Sequence, residues 1–155
     1  MNNYDFYKTF IDALGQDQDI QAWGQLNFDS AVSIFADLQT QSPPGEDDMP
    51  YILIHTPEIM KGMEERIQDY GLSIDLALTK NALQTRADDV EEPSGLELIL
   101  DFGELVVDCI EDALPDNMVM SYRLRGDTTG SLPDVYGFLE FRFRKYLSIG
   151  DNTLG

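Results

Sequence analysis

Hydrophobic and polar positions follow two different periods along this chain, and the changes of period divide it into elements. In YDFYKTFIDAL the apolar residues Tyr4, Tyr7, Phe10, Ile11 and Leu14 recur every three or four positions, with Phe6 just beside the stripe. That spacing predicts an amphipathic helix ended by Gly15. A shorter helical piece follows around DIQAWGQL, where Gly24 weakens the pattern. SAVSIFADL (30–38) is rich in β-branched and aromatic residues and reads as a first strand. The segment TQSPPGEDDMP, with three prolines, reads as an exposed loop. It leads into the compact strand YILIHT, which Pro57 closes. EIMKGMEERIQDYG reads as a connection carrying a helical turn. LSIDLALT (72–79) then alternates with period two, sending Leu72, Ile74, Leu76 and Leu78 to one side.

QTRADDVEEP reads as a second acidic loop, and Ser94 opens the strongest element. SGLE has the form of a capping box, with Ser94 capping the first turn and Glu97 reaching back. Leu98, Ile99, Phe102, Leu105, Val106, Cys109, Ile110 and Ala113 form an apolar helical stripe of about five turns. Pro115 stops it. NMVMSYRLR is a strand, GDTTGSLPD a loop, and VYGFLEFRFRKYLSI a long final strand, with residues 150–155 expected to fray. The expected fold is one α+β domain over residues 1–155. Its sheet is mostly antiparallel, with the long central helix and the N-terminal helix packed on one face.

Composition narrows the function. The chain has 155 residues, 43% of them apolar, which is enough for a core. Ten Lys and Arg against 29 Asp and Glu leave a formal net charge of −19. Such a balance opposes binding to bare nucleic acid, because phosphates are repelled. It suits a partner of opposite sign, or a passage to which nucleic acid must not stick. One cysteine allows no intrachain disulfide. MNNYDFYKTF lacks the basic and apolar regions of a signal peptide, and no apolar run approaches the ~20 residues of a membrane span. A soluble protein made in a cytoplasm is expected.

Catalytic signatures are sparse. His55, the single histidine, stands at a strand end with no acidic neighbour in sequence, and reads as structural. Cys109 falls on the apolar stripe of the central helix and reads as a small buried hydrophobe. No Cys or His set suits zinc, no Gly-rich phosphate loop follows a strand, and GEDDMP and RADDVEE lack calcium-loop spacing. The expectation is a non-enzyme with no cofactor and no metal.

Charge is more informative than chemistry. Glu97, Asp101, Glu104, Asp108, Glu111 and Asp112 recur at helical spacing on the central helix with no base among them. Like charges so placed repel, and acids in the last turn oppose the helix dipole. Conversely, five of the ten bases lie between residues 123 and 145. If the last two strands pair, Arg123, Arg125, Arg142 and Arg144 share one outward sheet face. Neighbouring arginines repel, so the face calls for counter-charge. A second subunit offers it in a head-to-tail contact; the plainer alternative is local pairing with Glu140 and loop acids.

The order of these elements resembles a known family. The N-terminal helix, the Pro-rich loop into PYILIH, LSIDLALT, the helix SGLELILDFGELVVDCIEDAL and the hairpin ending FLEFRFRKYLSI look like the tail terminator (tail completion) proteins of long-tailed bacteriophages. The resemblance implies a structural subunit, made in a bacterial host's cytoplasm and placed at the head-proximal end of the virion's tail. It implies a hexameric ring of identical chains that caps the tail tube and offers a docking surface to the head connector. Genomic DNA would pass through the ring without sequence-specific binding, and no membrane is involved. The four arginines would serve subunit contact, and the six helix acids the neighbour or the lumen. Two other classes fit the acidity: a dimeric chaperone like those of type III secretion, and an immunity-type inhibitor of a basic toxin. The chaperones usually finish in a helix, whereas this chain finishes in a strand.

Overall fold

The computed structural model describes residues 3–36, 44–61, 67–80, 83–128 and 133–146. Two helices, α1 (Asn3–Gln16) and α2 (Gln18–Phe28), lead into the short strand β1 (Ser33–Ala36). Then come β2 (Tyr51–Ile54), β3 (Glu58–Lys61) and the long β4 (Ile67–Leu78). A small separate ribbon, β5 (Leu83–Thr85) with β6 (Glu91–Pro93), precedes α3 (Gly95–Asp112). β7 (Met118–Asp127) and β8 (Val135–Tyr146) complete the main sheet, whose order is β1-β2-β4-β8-β7. β3 pairs with the first part of β4, beside the stretch that pairs with β2. Among the described residues only β1 and β2 pair in parallel. The architecture is the expected α+β: a mostly antiparallel sheet with the helices against one face.

Alternation in the strands builds the core. Leu72, Ile74 and Leu76 of β4, with Leu139, Phe141 and Phe143 of β8, all face the helices and are buried. The helices answer with aromatic rings. Phe6 stacks on Tyr70 with centroids 4.4 Å apart, Phe10 stacks on Phe143 at 5.0 Å, and Trp23 lies flat on Phe102 at 4.4 Å. Such contacts add to the area term by roughly 0.5–1.5 kcal/mol per pair. Two glycines admit the close approach. A Cβ on Gly103 of α3 would fall 2.5 Å from a Leu124 methyl, and one on Gly24 would fall 2.8 Å from the Ser30 carbonyl oxygen. Gly24 therefore lets α2 rest on the segment entering β1. There Gln21 brackets Val32, donating to its carbonyl and accepting from its N–H. The α2 start is capped by Asp17, whose carboxylate accepts from the Ile20 N–H at 2.8 Å.

The structure corrects four sequence readings. Residues 57–71 hold no helical turn among those described; β3 and β4 form an antiparallel pair instead, with Ile59 opposite Tyr70. A four-residue strand is too short to display its period. QTRADDVEEP is not a plain loop, since β5 and β6 pair across it. Ser94 has helical backbone angles (φ −66°, ψ −24°) and makes no capping bond with its side chain, because that bond needs an extended residue. In α1, Phe6 takes the place expected for Tyr4: Phe6 is buried and Tyr4 is 66% exposed. The stacking surface of Tyr70 decides this. Residues 147–155, including the expected frayed tail, lie outside the described residues, as do Thr40–Pro43 of the proline-rich loop.

Two charged surfaces as the candidate functional site

The sheet face turned away from the helices has no covering layer among the described residues. Register sets its contents in rows. One row reads Asp69, Arg144, Val119 across β4, β8 and β7; the next reads Gly71, Arg142, Ser121. Then follow Ser73, Glu140, Arg123 and Asp75, Phe138, Arg125. All four expected arginines thus share one open face.

Counter-charge within the subunit is partial. Arg144 binds Asp69 through two hydrogen bonds, 2.8 and 3.0 Å. The guanidinium holds the Asp69 carboxyl below its ordinary value, by hydrogen bonding first, against a smaller opposing effect of burial. Arg123 donates to Glu140 at 2.6 Å, although its side chain is 77% exposed. Arg125 stacks over the Phe138 ring at 5.0 Å. Arg142 makes no ion pair among the described residues and stands between Gly71 and Ser121, neither of which offers a charge. Local pairing, the plainer alternative, therefore accounts for Arg123 and Arg144; among the described residues Arg125 and Arg142 form no ion pair, although the charge of Arg142 helps to lower the Asp69 carboxyl.

Beside Arg142 runs an open groove of about 600 Å³, whose walls include His55, Glu58, Met60, Gly71 and Ser73. Its floor dips at Gly71, where a Cβ would meet only the Glu58 Cβ, at 3.7 Å. His55 has an acidic partner after all. Its Nε2 is 2.8 Å from Asp75 Oδ2, because β2 and β4 bring together residues twenty apart. The His55 N–H also donates to the Ser73 carbonyl. No periodicity announces that pairing; it depends on register, although Asp75 did lie on the polar side of an alternating strand. Asp69 was missed for a similar reason, its segment having been read as a connection.

On the other layer, all six acids of α3 are exposed. At 100° per residue they fall within about a quarter of the helix circumference. The last turn has no basic residue to offset the dipole. The helix runs alongside β7 in the opposite direction: Leu96 and Ile99 lie by Gly126, Gly103 by Leu124, and Glu104 by Tyr122. The Tyr122 hydroxyl donates to Glu104 Oε2 at 3.4 Å. Its phenol is pushed up chiefly by the Glu104 charge, with Asp108 and Glu111 adding to it. Cys109 is buried beneath, its thiol pushed up to about 12 by burial first and by Asp17 next. It stays protonated and is no nucleophile at neutral pH.

Among the described residues, no three His, Cys, Asp or Glu side chains converge as metal ligands, and no helix is long and apolar enough to cross a membrane. No protein family matches the chain, and no curated protein sequence matches it.

Proposed function

We propose that this protein is a structural subunit that assembles head to tail into a ring, and specifically the terminator that caps the tail tube of a long-tailed phage or a related machine. The observation that carries the reading is the pairing of surfaces on one subunit. One face presents arginines only partly matched by local acids, and a separate helix surface presents acids with no base among them. A subunit bearing both signs on different sides is complementary to its own copies. A heterologous contact of that kind closes into a ring when its rotation allows. The resemblance in element order supplies the identity of the ring, and acidic surface left facing a lumen would repel passing DNA.

Magnitude shapes the expectation. Each exposed ion pair contributes about 0.2–1 kcal/mol, so four arginines contribute about 1–4 kcal/mol per interface. Charge of that size selects partner and register but is screened by salt within about 10 Å at 0.1 M. A charge-swap experiment tests it. Arg142→Glu with Arg144→Glu should abolish self-assembly, seen as loss of rings in negative stain. Mixing that variant with one carrying Asp101→Lys and Asp108→Lys should restore heterologous contact. Unchanged assembly in the arginine variant would overturn the reading, and a salt-insensitive dimer would point to the chaperone class.

A further inference from the structure

Among the described residues the sheet ends at β7, and this edge is long. Ten residues, Met118–Asp127, pair with β8 on one side, and among the described residues no segment pairs with the other. The opposite margin offers only the four-residue strands β1 and β3. A bare edge of this length is a template for another strand unless something discourages it. β7 has no proline, and Val119 and Tyr122 are respectively 56% and 44% exposed along it.

The charges beside the edge are sorted by face. On the open face stand Arg123, bonded to Glu140, and Arg125, stacked over Phe138 and in no ion pair among the described residues, one residue apart in alternation. On the helix face α3 runs along the strand, setting Glu104, Asp108 and Glu111 beside Tyr122, whose phenol registers the charge of all three. An added strand would therefore lie between two fields of opposite sign, positive on one face and negative on the other. Side chains of a strand point alternately to the two faces.

We propose that β7 is a docking edge for an extended strand of a partner protein whose side chains alternate in charge, basic toward α3 and acidic toward the arginine face. Main-chain hydrogen bonds supply affinity in such β-augmentation, and the alternate side chains supply selection. The same sorting disfavours a second β7. Two copies related by a twofold axis normal to the sheet would continue the same faces, placing arginines beside arginines and acids beside acids. The edge thus rejects its own copy while accepting the complementary pattern. The inference stands on the edge and its charges, independently of the ring.

The test uses the full chain and three capped octapeptides: alternating Lys-Glu, a Lys₄Glu₄ block of identical composition, and all-lysine. Amide hydrogen exchange and chemical shifts of β7 are followed by NMR at fixed salt. The alternating peptide should protect every second β7 amide, those facing away from β8, and bind about tenfold tighter than the block. In the variant Arg123→Glu with Arg125→Glu, both flanking faces are acidic, and preference should shift to the all-lysine peptide. Three results would overturn the proposal: equal binding of alternating and block peptides, no alternate-residue protection at millimolar peptide, or outward amides already protected in the free protein by a second copy.

Discussion

The two faces of one sheet obey different rules here. Toward the helices, β4 and β8 present Leu72, Ile74, Phe141 and Phe143, all buried, with Phe143 stacked on Phe10. Away from them, the same strands present Asp69, Arg142, Arg144 and Glu140, which are charged and partly to fully open to solvent. The inner face stabilises the fold through area and shape. The outer face, with its exposed ion pairs, contributes little to folding. A residue's value therefore depends on its parity along the strand more than on its neighbours in sequence.

Substitutions can break this contrast, beginning with the largest effect. Phe141→Ala should destabilise the fold by about 3–5 kcal/mol, measured by urea unfolding, since the ring is fully enclosed beside Phe143. Gly24→Ala comes next. Helix propensity favours alanine by about 1 kcal/mol, but the new methyl would sit 2.8 Å from the Ser30 backbone oxygen and from a Val32 methyl. Backbone cannot swing aside, so a net loss of about 1–3 kcal/mol is expected by the same assay.

On the outer face, Asp69→Asn should have a far smaller effect by the same assay, because the pair with Arg144 is exposed and screened by solvent. The sign of its pH dependence is fixed by the lowered carboxyl. The folded-state value lies below the ordinary 3.8, so the Arg144 contact contributes above that range and fades as pH falls through the folded-state value. Acid unfolding curves of the wild type and Asp69→Asn should differ at neutral pH and converge at the acid end. The smallest effect concerns Cys109: with its thiol pushed up to about 12, alkylation at pH 8 should be negligible until the protein is unfolded.

Legibility in the sequence followed element length and parity. The five-turn stripe of α3 and the alternation of β8 repeat often enough to reveal themselves, and so the arginine face and the acidic helix were both visible. β3 has four residues, and its pairing with β4 depends on a partner further along the chain. The Asp69–Arg144 pair joins residues 75 apart and the His55–Asp75 pair residues twenty apart. Register creates both, and no local pattern encodes it. The misread capping box at Ser94 has another cause: the motif matched, but the backbone at Ser94 was already helical.

The most direct measurement of the central claim is the mass of the wild-type protein by light scattering behind size exclusion, at low and at moderate salt. Assembly through surfaces of opposite sign predicts a ring of several chains at low salt that shrinks toward one chain as salt rises. A mass unchanged between the two conditions would contradict it.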